Sequence, residues 1–236
     1  MKLCCLAGTW AVLLSVGIGS VGIGSVGVGS VGVAVAVAAE LPSLESAGLA
    51  RGQFSSMRML LEKTFLNIDV ALIDVRVGKR VQAEFSKLAS GQTYSEALEA
   101  QLAGAALRAD EAVIQLEFLR DVSLERWVDG VRHSLEKAQR AGLISTELQR
   151  RVSAGLPQWF QALEADGFQR GDRLFYDLRP AVLRSVVVTR AGQVRVDRTD
   201  KGEDIPRVVL ASYFAPGTDY RRPLLKSLLA PAAGRR

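Results

Sequence analysis

Three sets of residues in this chain have the types and spacing that could carry chemistry. The first is a run of glycines. Gly17, Gly19 and Gly22 satisfy G-x-G-x-x-G, as do Gly22, Gly24 and Gly27, just after the apolar stretch AVLL and with Glu40 downstream. That is the pattern of a dinucleotide-binding turn, where a helix N-terminus meets a pyrophosphate. The second set is acid–base: Asp69 and Asp74 lie in one apolar run, and His133 is the sole histidine. The third is Arg58, a guanidinium set between Met57 and Met59 and followed by Leu60 and Leu61.

The glycine pattern fails on its own helix. The segment that would have to be helical, SVGVGSVGVAVAVAA, is dense in glycine and valine. Each interior glycine costs about 1 kcal/mol relative to alanine, too much for a short isolated helix. The match follows instead from a five-residue repeat, S-V-G-[IV]-G, and no cofactor is expected.

His133 falls off the apolar stripe of its segment, beside Arg126, Gly130 and Lys137, and is expected to face water. No G-x-S-x-G elbow is present for a triad. With one histidine, and both cysteines at positions 4 and 5, no metal site is expected either. Asp69 and Asp74 read as solvated or ion-paired carboxylates. Arg58 needs a partner on its apolar strand, and both an anionic ligand and a protein carboxylate would supply one.

The N-terminus reads as an address. Lys2 is the sole charge before Glu40, and everything between them is apolar, Gly, Ser or Thr. A basic start, an apolar core and an A-x-A exit (Ala36-Val37-Ala38) describe a secretory signal over residues 1–39. An uncleaved membrane anchor is the rival reading, since about 20 apolar residues span a bilayer. Cleavage removes Cys4 and Cys5, so the mature chain has no thiol chemistry. It is then a periplasmic or secreted protein that touches a membrane through its signal segment alone.

The 30 Lys+Arg stand against 25 Asp+Glu, a net charge of +5. The basic residues are interleaved with acids, as in EFLRDVSLERWVDGVRHSLEKAQR, with no stripe of alternating basic and aromatic residues. Nucleic acid is not an expected partner.

The remaining chain divides into an arm (residues 40–53), one domain (54–230) and a tail (231–236). Two strands are expected between Phe54 and Val77, the second with apolar residues on both faces: Ile68, Val70 and Leu72 against Ala71, Ile73 and Val75. Residues 80–109 read as two helices, the second opened by a capping box at Thr93–Glu96. Ala112, Ile114, Leu116 and Phe118 alternate on one face of a strand. Ser123 then caps a helix with an apolar stripe of Leu124, Trp127 or Val128, Val131, Leu135 and Ala138, closed by Gly142. A further helix runs from about Ser145 to Asp166 with an interruption at Pro157. Three strands follow, the last two joined near Ala191-Gly192, and two helices fill residues 205–229. Strands and helices in the order ββ–αα–β–αα–βββ–αα make an α+β fold, a largely antiparallel sheet with helices on one face.

GDRLFYDLRP, VVVTRAGQVRVD and VVLASYFAPGTDYRRPLLKSLL, read together with MRMLLEKTFLNIDVALIDVRV and FLRDVSLERWVDGV, resemble the chalcone isomerase family. The likeness spans about Phe54–Leu229, rests on the order and spacing of these stretches, and is strongest to the bacterial, secreted branch. It implies an open-faced β-sandwich with an apolar cleft between sheet and helices. In enzymes of that family an arginine on the opening strand and a tyrosine on the helix after the central strand act in an intramolecular cyclisation. Related non-enzymatic members hold a fatty-acid carboxylate with such a pair.

Here the arginine position falls on Arg58, while the tyrosine position falls on Trp127 and the family's asparagine on Ser134. An indole N–H cannot replace a phenol, and core packing is the plainer role for Trp127. The resemblance therefore implies a non-catalytic protein binding a small apolar or fatty-acid-like anion through Arg58 and Trp127. An altered intramolecular lyase and a protein-interaction domain with a closed cleft are the alternatives. The first outcome to check is processing: the intact mass of exported protein should begin at Ala39 or Glu40. A mature species that keeps the glycine repeat would establish the anchor reading instead.

Overall fold

Period-two burial in the strands and 3.6-residue stripes in the helices build a sheet with its helices gathered on one face. The computed structural model describes Pro42, residues 49–63 and residues 68–230. The expected signal segment 1–39, the tail 231–236 and most of the arm 40–53 lie outside the described residues.

The elements are β1 (Ser56–Lys63), β2 (Ile68–Val77), α1 (Lys79–Ala89), α2 (Glu96–Leu107), β3 (Ala112–Phe118), α3 (Leu124–Arg140) and α4 (Thr146–Trp159). A single 3-10 turn at Gln161–Leu163 leads into β4 (Arg173–Arg179), β5 (Val182–Val188), β6 (Val194–Lys201), α5 (Asp204–Phe214) and α6 (Arg221–Ser227). The six strands form one sheet in the order β1-β2-β3-β4-β5-β6. Every neighbouring pair is antiparallel. The element order is the one expected from the sequence, with the helix pairs inserted after β2, β3 and β6.

One face of each strand enters the main core. Met57 and Met59 of β1, Ile73 and Val75 of β2, Ile114 of β3, Leu174 and Leu178 of β4 and Val187 of β5 pack there with Phe85, Leu102, Leu135 and Phe214 from the helices. A smaller cluster of Leu49, Val113, Phe175, Val186 and Val188 occupies the other face. On β2, Ala71, Ile73 and Val75 are buried while Leu72 and Asp74 are half-buried. The outer face of that strand is thus less covered than its apolar pattern suggested.

Two local expectations change. The cap of α2 is Ser95, which accepts a hydrogen bond from the Leu98 amide at 3.2 Å, so Thr93–Glu96 is not a capping box. A box would need Glu or Gln at the third helical position, and Leu98 stands there. Pro157 lies inside α4 without ending it. It is near the C-terminal end, and the carbonyl it leaves without an amide partner is in the preceding turn. Ser123 caps α3 and Gly142 follows its end at φ +69°, as the sequence indicated.

The passage from β3 to α3 is pinned by a reciprocal pair of backbone bonds between Val122 and Phe168, both 2.9 Å. Gly167 makes this possible. Its φ is +67°, and a Cβ there would stand 2.3 Å from the Val122 carbonyl oxygen. Gly142 has a similar φ and open space around it. Gly167→Ala should therefore destabilise the domain well beyond the cost of a left-handed alanine, about 1–3 kcal/mol. Gly142→Ala should stay within that range, and urea melts of the two variants make the comparison. Equal losses would show that the Val122–Phe168 junction tolerates displacement.

Candidate functional site

Between the core face of the sheet and helices α3, α4 and α5 lies a cavity of about 180 Å³. A cavity of about 150 Å³ already admits benzene when its walls are apolar. The floor begins with Leu61, Ala71, Leu116 and Phe118 on β1 to β3 and continues through Tyr176, Leu183 and Ser185 to Arg198 on β6. The opposite wall is Trp127, Val131 and Leu135 of α3, Leu156 and Trp159 of α4, and Val208 and Tyr213 of α5.

Aromatic contacts hold one end. Phe118 stacks on Phe168 at 4.2 Å, and Trp127 meets Phe168 at 5.4 Å and Phe160 at 4.5 Å between ring centroids. Trp127 is 8% exposed and sits on the cavity side of its helix, so it is both core and wall.

The polar groups follow from strand register. Tyr176 on β4 pairs with Ser185 on β5, which pairs with Arg198 on β6. Adjacent strands are about 4.8 Å apart, so these three form a polar row across an otherwise apolar floor. The Arg198 Nε donates to Asp200 at 2.8 Å, and its guanidinium lies 4.7 Å from the Trp159 ring centroid. Arg126, exposed on α3, also borders the cavity.

Tyr213 faces Tyr176 from α5, and its ring meets that of Tyr220 at 4.9 Å. Burial pushes the Tyr176 and Tyr213 hydroxyls well above the usual phenol range, with mutual interaction a smaller cause for Tyr213. Burial raises Tyr220 too, against a lowering effect of the neighbouring Ser134 hydroxyl. These phenols are neutral donors at any physiological pH.

The two residues singled out for binding are not brought together. Trp127 lines the cavity, but Arg58 lies on the other face of β1, since its neighbours Met57 and Met59 are the ones turned to the core. The Arg58 Nε is 3.2 Å from the Asp74 carboxylate across the β1–β2 pair. The placement supplies the protein carboxylate that was one of the two partners open to Arg58. Burial raises the Asp74 pKa, and Arg58 works against that rise.

Ser134 lines the cavity and donates to the Gly130 carbonyl at 3.0 Å. Tyr94 sits elsewhere, donating to Glu99, with its own pKa pushed up to about 12 by burial and that contact. His133 is exposed, 4.0 Å from Glu136. Among the described residues no group of three His, Cys, Asp or Glu side chains could hold a metal. No helix among them is long and apolar enough to cross a membrane.

Sequence reading passed over Tyr176, Ser185, Arg198, Asp200 and Trp159. The signal was present in the alternation: Tyr176 stands between Leu174 and Leu178, Ser185 between Leu183 and Val187, and Arg198 two residues after Val196. Each is a polar residue at a position where period two demands an apolar one.

No protein-family model matches the chain, and no curated protein matches it in sequence. Its fold is matched by the crystal structure of a fatty-acid binding protein from Arabidopsis thaliana. The TM-score is 0.52 at 13% sequence identity, over 80% of this chain and 92% of the plant protein. At that identity the likeness is one of fold, and it agrees with the arrangement expected from the sequence: this chain has an α+β, chalcone isomerase-like fold.

Proposed function

We propose that this is an exported, non-catalytic protein of the bacterial, secreted chalcone-isomerase-like branch. Its ligand is a small apolar or fatty-acid-like molecule held between sheet and helices. The observation that carries the reading is the cavity itself, an apolar chamber with a single polar row across its floor. That is the usual composition of a site for a small apolar ligand. The fatty-acid binding reported for the plant protein of like fold supports the same class of ligand.

The charge anchor in this reading moves from Arg58 to Arg198, which lines the cavity and is held in place by Asp200 and Trp159. Trp127 serves as apolar wall. Cyclisation has no support, because the position that resembles the family's tyrosine carries Trp127.

Titration with decanoic acid should change the fluorescence of Trp127 and Trp159 with one-to-one saturation. Arg198→Gln should weaken the acid by about tenfold, the value of a partly exposed charged hydrogen bond, and leave decan-1-ol unaffected. No saturable change with either compound would overturn the binding reading. A 2′-hydroxychalcone should cyclise no faster with the protein than in buffer, and efficient turnover would overturn the non-catalytic part.

Arg58→Ala should leave decanoic acid affinity unchanged and cost stability in a pH-dependent way. Asp74 has a raised pKa in the folded chain, so its protonated form favours folding and that contribution is lost as pH rises above the ordinary value of 3.8. Removing Arg58 takes away a lowering influence and enlarges that loss. The deficit of the variant should be at most about 1 kcal/mol near neutrality, because the pair is partly exposed. It should shrink below pH 4, and urea melts at pH 3 and 7 measure it. A fall in affinity with unchanged stability would restore Arg58 as the anchor.

A further inference from the structure

Two phenols of the core carry hydroxyls into the cavity that ring packing does not account for. Tyr176 is 8% exposed and Tyr213 is 6% exposed, one rising from the floor on β4 and the other descending from α5. Among the described residues neither hydroxyl has a hydrogen-bonding partner, and burial and neighbouring phenols alone act on them. Buried hydroxyls are ordinarily bonded, because an unmade bond leaves their desolvation uncompensated. Ser185, 4% exposed, stands beside Tyr176 on the next strand and lines the same space.

We infer that Tyr176 and Tyr213, with Ser185 beside them, form a donor site for a carbonyl-type oxygen carried into the cavity by an apolar ligand. The inference rests on the binding reading above and specifies its ligand: a ketone, ester or carboxylic acid, as opposed to a plain hydrocarbon. Donors on the floor and roof of one cavity suit an oxygen with two lone pairs, which can accept two hydrogen bonds. Leu183, Val208 and Leu116 line the same space as these donors, and donors set among apolar walls discriminate against a ligand that lacks the oxygen. Arg198, at the far end of the same row, adds preference for an acid without being required for a neutral ketone.

The test uses hexanophenone and 2-phenylheptane, which share one heavy-atom frame and differ by a carbonyl oxygen against a methyl group. Both are titrated by tryptophan fluorescence into the wild-type protein, Tyr176→Phe, Tyr213→Phe and the double variant. The double variant should bind hexanophenone about tenfold more weakly, with 2-phenylheptane changed less than about twofold. The C=O stretch of bound hexanophenone should lie at lower wavenumber in the wild type and return toward its value in hydrocarbon solvent in the double variant. Ser185→Ala supplies the same comparison if a Tyr→Phe variant does not fold. Equal changes for both ligands, or none for the ketone, would overturn the donor site while the cavity reading stands. Failure of both ligands to bind the wild type would overturn the cavity reading and this inference with it.

Discussion

A chain of ring contacts sets the spacing on which the cavity depends. Phe118 ends β3, Phe168 follows the turn before β4, and Trp127 and Phe160 belong to the ends of α3 and α4. Packed with centroids 4.2 to 5.4 Å apart, these rings are too large to let the helices settle directly on the sheet there. Smaller side chains continue the interface beyond them, among them Ala71 and Gly130, and the space they leave is the cavity. The Val122–Phe168 backbone pair fixes the ring stack to the sheet, and Gly167 is the one residue type that fits its turn. Aromatic bulk beside missing bulk is a packing compromise, because voids forfeit dispersion energy.

The distribution of charge follows the same two-sided logic. The outer face of the sheet carries cross-strand pairs such as Arg58–Asp74 and Arg184–Asp197, where water screens both partners. On the cavity face, Arg198 and Asp200, two residues apart on the last strand, pair with each other beside Trp159. On the sheet floor between that pair and the ring cluster, the polar groups are the neutral hydroxyls of Tyr176 and Ser185. A chamber built this way disfavours free ions in its interior and accepts a molecule whose polarity is confined to one end.

Much of the fold was legible in the sequence because its determinants are local. The alternation of Ala112, Ile114, Leu116 and Phe118 gives the core face of β3, and Ser123 and Gly142 mark both ends of α3. The site was less legible, and Arg58 shows why. Its immediate neighbours are apolar, which suggested an apolar environment, but residues one apart on a strand point to opposite faces. Met57 and Met59 are buried for the same reason that Arg58 is not. Trp127 was placed on the right face of α3 by its helical stripe. Its contact with Phe168 joins segments distant in the chain, and no local pattern carries that. The polar row of Tyr176, Ser185 and Arg198 depends on register across three strands, which the hairpin turns set and single-strand patterns do not show.

On the function proposed above, this chamber holds an apolar molecule with a polar end. Native mass spectrometry of the protein purified from the cells that make it tests this most directly, alongside a sample stripped of bound molecules and re-exposed to decanoic acid. Such a protein should show a population carrying one small molecule, released on collisional activation, and a stripped sample that takes up one decanoic acid. The bare mass alone in both samples would contradict it.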